Sequence, residues 1–322
     1  MSESMKKRLE WAFRVFFPRR VKSGLSLWQR IKMNRISYLM MAPYFVLFTI
    51  FTIIPVAASL VLGFTYFNML EAPVFTGLSN YVSIFLNDEI FQLAIKNTII
   101  FALLTGPVSY VLCFILAWFI NDLPRHLRTF MTLVFYAPSL SGNLYLIWQF
   151  IFSDDQYGLV NSFLMTFMDL GIIKDPIKWF TDEKYIMAAL IVVQLWLSLG
   201  AGFLALGAGF KTADSSLYEA GAIDGIKNRF QELVYITIPS MKRQMLFAAV
   251  MQISSSFAVG NISVQLCGFP STNYAGHTIM THIHDYGTVR YDMGYACALS
   301  TLLLLIMLIM NKVITTVLVE KD

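Results

Sequence analysis

Residues 36–70 read ISYLMMAPYFVLFTIFTIIPVAASLVLGFTYFNML, with no Lys, Arg, Asp or Glu between Arg35 and Glu71. A helix needs about 20 apolar residues to cross the hydrocarbon core of a bilayer. This run is long enough, and Pro43 and Pro55 are tolerated where neighbouring helices satisfy the carbonyls they free. Five more charge-free windows follow: Asn97–Asn121, Phe130–Phe152, Tyr185–Phe210, Gln244–His284 and Met293–Asn311. One charge at a helix centre costs about 2.5–3.5 kcal/mol on insertion scales, so six clean windows are a strong signal. The fold expected is all-α, an integral membrane bundle of about six spans near 36–64, 93–120, 130–152, 185–210, 246–266 and 293–312. A seventh gap, Gln156–Met168, is too short to span and carries Asn161 and Ser162. It reads as an interfacial or extracytoplasmic helix.

Composition agrees. Hydrophobic residues make up 57% and charged residues 14%, against roughly 25% charged in soluble proteins. Mean hydropathy is +0.62. A soluble fold could not cover so much apolar surface with so few charges.

Orientation comes from Lys and Arg. With the N-terminus inside, ten lie before Ile36, two in 121–129, five in 211–245 and two after Met310. That places nineteen of 24 on one side, and Lys96, Lys174, Lys178, Lys184 and Arg290 on the other. The positive-inside rule then puts both termini in the cytoplasm. The net charge of +4 is a topology signal, with no support for nucleic acid as a partner. Residues 1–35 form a basic segment in which Met5, Leu9, Phe13, Phe16 and Phe17 recur at helical spacing, as in a membrane-surface anchor. This leader precedes the first long apolar stretch and ends in no small-residue cleavage site, so no cleaved signal peptide is expected. Cys113, Cys267 and Cys297 are single and widely spaced, as small buried residues are.

Residues 211–245, between the fourth and fifth spans, exceed what a connector needs and carry helix signals. Ser216-Leu217-Tyr218-Glu219 has the pattern of a capping box. Asp224-Gly225 marks a turn in which Gly can take a positive φ. Asn228-Arg229-Phe230-Gln231 is a second cap, opening a helix over Phe230–Ile238 that Pro239 bounds. Two short helices set at an angle, on the cytoplasmic side, make a shape for docking into a partner.

Glu219-Ala220-Gly221-Ala222-Ile223-Asp224-Gly225, with Ile236-Thr237-Ile238-Pro239 downstream, resembles the "EAA" motif of permease subunits in binding-protein-dependent ABC importers, in the form of the carbohydrate-uptake branch. Phe75-Thr76-Gly77-Leu78-Ser79-Asn80-Tyr81, Asn97-Thr98 and Tyr291-Asp292-Met293-Gly294-Tyr295-Ala296 agree with it. The resemblance covers nearly the whole chain from Ile36 on. Gly221 departs from the pattern by replacing the second Ala. Gly225 to Pro239 is also one residue longer than the commonest spacing.

The resemblance implies a sugar or oligosaccharide importer in a bacterial cytoplasmic membrane. It implies a second, homologous permease chain, two ATP-binding subunits on the cytoplasmic face and an extracytoplasmic substrate-binding protein. Glu219, Ala220, Gly221, Asp224, Gly225 and Pro239 would form the coupling element seated in the ATPase. ATP and Mg would belong to those subunits, leaving this chain without a cofactor. A non-sugar solute, such as a polyol or glycerophosphodiester, is the alternative within the same importer type.

Absent motifs narrow the rest. The chain has no phosphate loop of the G-x-x-x-x-G-K-[ST] type, so it is not expected to hydrolyse ATP. No HExxH or nucleophile elbow occurs, which disfavours a membrane-embedded transferase. His282-Ile283-His284-Asp285, with His277 nearby, is the one metal-like cluster, and loose spacing in an external loop favours solvated histidines over a zinc site. The spans hold no ionisable pair, unlike most ion-coupled carriers. They do hold neutral polar groups and an aromatic, Asn143, Gln149, Gln194, Trp196, Gln252 and Asn261, which either bond between helices or line a path for hydroxyl-rich solute.

Overall fold

The computed structural model of the protein describes residues 27–140, 144–167, 175–212 and 214–319. Most of the basic leader lies outside them. The chain divides into two units, one ending at Val61 and the other beginning at Leu62.

In the first unit a short helix, Leu27–Met33, precedes the helix of the first span, which runs from Arg35 to Leu62. Pro55 does not break it. A π-helical turn over Thr49–Ile53 comes just before, with the Ile54 N–H donating to the Thr49 carbonyl five residues back. A wide turn of this kind carries the chain past a ring that cannot donate.

The second unit opens on an antiparallel ribbon, Thr65–Tyr66 against Val74–Phe75, and a helix over Ser79–Leu86. The second span is one helix, Glu89–Asn121, with Gly106-Pro107 inside it. Asp88 caps it by accepting from the Phe91 N–H. The sixth is also one helix, Met293–Val319.

Each of the other three windows holds two described helices. The third is Arg125–Leu140 and Tyr145–Ile151, and the fourth is Glu183–Leu197 and Ala201–Gly209, bent by 45°. The fifth is Lys242–Phe257 and Asn261–Cys267, bent by 47°. With each pair counted as one span, the chain has the six that the charge gaps predict. Hydropathy sees the apolar window and is blind to a bend inside it. The Gln156–Met168 gap is helical over Leu159–Phe167. There the buried Asn161 donates to the carbonyls of Ser153, Asp155 and Ile177, and accepts from the Trp179 indole.

Small residues set how closely the spans approach. A Cβ at Gly106 would lie 3.2 Å from Ile253 and Ser256, and one at Gly202 3.0 Å from Gln252 Nε2. Close backbone approach of this kind is how helices associate where lipid removes the hydrophobic drive between them. Three buried clusters result: Phe101, Leu190, Val193 and Ile262; Cys113, Leu206, Met241 and Ala248; and Ile84, Phe91, Ile279 and Leu299.

Candidate functional site

The loop between the fourth and fifth spans folds into two short helices, over Ser215–Ile223 and over 229–240. The first is capped two residues earlier than the sequence suggests. Asp214, not Ser216, is the N-cap, and its carboxylate accepts from the Ser216 N–H. Glu219 therefore does not close a capping box; it is exposed and bonded to no described side chain. The second cap is as expected: Asn228 accepts from the Gln231 N–H while Gln231 accepts from the Lys227 N–H.

Between the helices the chain turns at Gly225, φ +95°. The Ile226 N–H reaches the Gly221 carbonyl at 2.9 Å and the Gly225 N–H the Ala222 carbonyl at 3.4 Å. This paired 6→1 and 5→2 pattern is a Schellman motif, with Gly at the position that needs the left-handed region. It satisfies the last carbonyls of the first helix and fixes the exit direction.

Gly221 has its own reason. A Cβ there would sit 2.6 Å from Ile236 Cδ1 and 3.0 Å from Ile226 Cδ1. The two short helices pack so closely that the side chain of an Ala would displace the isoleucines. The Tyr218 hydroxyl also bonds Thr237 Oγ1 across the gap, at 2.9 Å.

Pro239 does not end the second helix. A π turn over Leu233–Thr237 precedes it, and the helix continues to Ser240. Arg229 pairs with Glu232 at 3.2 Å and reaches Asp122, at the end of the second span, at 3.8 Å. Both pairs are too exposed to hold much energy. The apolar side chains facing outward are more telling: Leu217, Phe230 and Tyr235 are exposed, and Ile223 is 87% exposed.

The residues expected along a solute path separate into two groups. Gln149 and Asn261 lie toward the ends of the third and fifth spans away from the short-helix loop, and Trp196 lies midway along the fourth. Gln149 Nε2 donates to the Gln265 carbonyl at 2.7 Å, and Trp196 meets Trp148 edge-on. Asn261 lines a cavity of about 330 Å³ with Gln265, Thr281, His284, Val264 and Met280. Gln252 lies apart, 3% exposed. Its Nε2 donates to the Ser198 carbonyl and lies 2.9 Å from Cys113 Sγ. Gln194 is half-buried. Asn143 lies outside the described residues.

Sequence reasoning misplaced the histidines. His277 and His282 are 2% and 0% exposed, not solvated. His277 Nε2 lies 3.0 Å from His282 Nδ1, and His282 Nε2 lies 2.8 Å from Asp88 Oδ2, which also accepts from the Tyr295 hydroxyl at 2.7 Å. The chain ties the 268–292 loop to the mouth of the second and sixth spans. Burial, helped by the neighbouring His282, pushes His277 down to about 4. Burial alone would raise Asp88, but bonds from Tyr295, the Phe91 amide and His282 outweigh it and hold the carboxyl below its usual value. Among the described residues no group of His, Cys, Asp and Glu could hold a metal ion.

This is the fold of the membrane-spanning subunit of an ABC importer. Over 92% of the chain and 99% of the other, it superposes at a TM-score of 0.73 and 23% identity on a bacterial alginate ABC transporter solved with its alginate pentasaccharide-bound periplasmic protein. In sequence the chain resembles permease subunits of ABC transporters for sugar and oligosaccharide uptake. It is 29% identical over 85% of its length to a probable ABC transporter permease protein of Bacillus subtilis, YesP, covering 87% of that protein. It is 27% identical to the arabinooligosaccharide transport permease AraP of the same organism, over 86% of both chains. No protein-family model matches.

Proposed function

We propose that the chain is one of two permease subunits of an ATP-driven importer of sugars or oligosaccharides, with both termini in the cytoplasm. The observation that carries this reading is the Gly225-hinged pair of short helices. A connector has no need of two capped helices locked by a Schellman motif. Nor does it gain by holding Leu217, Ile223, Phe230 and Tyr235 uncovered; such apolar surface calls for a partner. An ATP-binding subunit below each permease would cover it and bring ATP and Mg with it.

Of Glu219, Ala220, Gly221, Asp224, Gly225 and Pro239, four then have distinct parts. Gly221 lets the two helices touch, Gly225 sets the angle between them, and exposed Glu219 is free to meet the partner. A rigid lever follows, joined through Pro239 to the fifth span. When ATP draws the two ATPases together, the levers approach and the spans part on the far side. Gln149, Trp196 and Asn261 offer amides and an aromatic edge, groups that suit a solute with hydroxyl rims and apolar ring faces. An extracytoplasmic binding protein would deliver it, as a periplasmic protein accompanies the alginate transporter.

The test is reconstitution with the neighbouring permease, ATPase and binding protein in proteoliposomes. Uptake of a radiolabelled oligosaccharide should require all of them, and the loaded binding protein should stimulate ATP hydrolysis. ATP turnover by this polypeptide alone would sink the reading.

A further inference from the structure

We infer that the chain carries a binding site for one anionic phospholipid, in a cavity of about 310 Å³ between the second, third and fourth spans. The cavity opens at the end that bears the short-helix loop. Its rim holds Arg128 and Lys211, and Ala117, Phe203, Leu204 and Gly207 form its apolar wall.

The cations are available. Arg128 is half-buried, and its Nε and Nη2 donate to the Leu123 carbonyl at 3.3 and 3.0 Å. That fixes the guanidinium and leaves Nη1 with no partner among the described residues. Lys211 is exposed. Neither forms an ion pair with another described residue. Two positive charges placed together without a carboxylate repel one another, and an anion relieves that.

The wall sets the class of anion. Leu204 lies five residues, about 7 Å of helical rise, before Gly209, where the helix ends and the turn to Lys211 begins, so apolar surface extends at least that far below the charged rim. A phosphodiester seated on Arg128 and Lys211 would lay an acyl chain along Phe203 and Leu204. Gly207 leaves the groove open, since a Cβ there would meet no atom within 4 Å. A free phosphate would leave the wall unused. A phosphatidylcholine would bring its own ammonium to a rim that is already positive. Basic pockets at the ends of membrane helices are the places where anionic headgroups lodge.

The test uses the assembled transporter in nanodiscs of phosphatidylcholine with phosphatidylglycerol, followed by native mass spectrometry after delipidation. One phosphatidylglycerol should remain per copy of this chain, and no phosphatidylcholine. Lys211→Gln should reduce retention about five-fold, the factor one cation near an anionic headgroup supplies. Gly207→Leu should do the same by filling the groove, Arg128→Lys should retain lipid, and Lys96→Gln at the opposite end should change nothing. Equal retention of both lipids, retention unchanged by Lys211→Gln and Gly207→Leu, a matched loss in Lys96→Gln, or displacement by excess inorganic phosphate would each overturn the site.

Discussion

Gln252, in the fifth span, donates its side-chain amide to the Ser198 carbonyl of the fourth at 2.9 Å. Ser198 stands at the break between Glu183–Leu197 and Ala201–Gly209, where the helical ladder is interrupted. A carbonyl freed inside a membrane must find a donor, and that of Ser198 has two, the Gly200 N–H at 2.8 Å and Gln252. The neighbouring span supplies the second donor, and Gly202 leaves the room for it.

Gln252→Leu should therefore destabilise the complex. Interhelical hydrogen bonds in membranes average about 0.6 kcal/mol, and a cost of that size is expected because the Ser198 carbonyl keeps the Gly200 N–H. A lower melting temperature of the purified complex is the expected outcome. Unchanged melting with impaired uptake would instead make Gln252 a solute ligand.

Gly225→Leu puts a Cβ at φ +95°, at a cost of roughly 1 kcal/mol or more. Nothing lies within 4 Å of that Cβ, so the chain itself offers no clash. Insertion and pairing with the second permease should survive while stimulation of ATP hydrolysis by loaded binding protein falls. Wild-type stimulation would reduce the loop to a connector.

The buried histidine chain gives a pH prediction. His277 is held at about 4, below its ordinary 6.5. A group depressed in this way binds its proton in the unfolded chain first, so its stabilisation is complete above about 6.5 and lost as pH falls toward 4. The span corresponds to a cost on the order of 3 kcal/mol. His282, Asp88, Asp285 and Arg290 are the titratable and charged groups that face it. Hydrogen exchange in 268–292 should rise over that window, and less so in His277→Gln. A flat profile in the unsubstituted protein would dismiss the effect.

Cysteines at Ser153 and Thr272 should label from outside, and those at Ser216 and Asn228 only after permeabilisation. External labelling at Ser216 would overturn the orientation.

The spans were legible because charge in lipid is costly enough to leave clean gaps. The bends were not, because a broken span keeps its hydropathy while nearby donors meet the freed groups, as the Gly200 N–H and Gln252 do for the Ser198 carbonyl. The Asn228 cap and the Gly225 turn were legible because each depends on a few adjacent residues. The Ser216 cap failed because Asp214, two residues upstream, binds the Ser216 amide. The histidines misled because what buries them comes from far away: Asp88 and Tyr295 lie 194 and 13 residues from His282. Asn97 and Thr98, among the stretches that carry the family resemblance, clamp that same region. Asn97 bonds the carbonyls of Tyr274, Ala275 and His277, and Thr98 accepts from the Ile279 N–H. At Gly294 a Cβ would collide with the Thr65 carbonyl.

The π turn at Leu233–Thr237 has a consequence for how this loop tolerates change in length. An ordinary helix that gains one residue rotates everything beyond it by roughly 100°. A π turn instead takes up the newcomer as a local swelling and hands the downstream chain on in its old phase. The one extra residue between Gly225 and Pro239 thus has a place to reside, and the fifth span keeps its face toward the second. Removing one residue from 233–237 should leave transport near normal, whereas removing one from Ser215–Ile223 should abolish it.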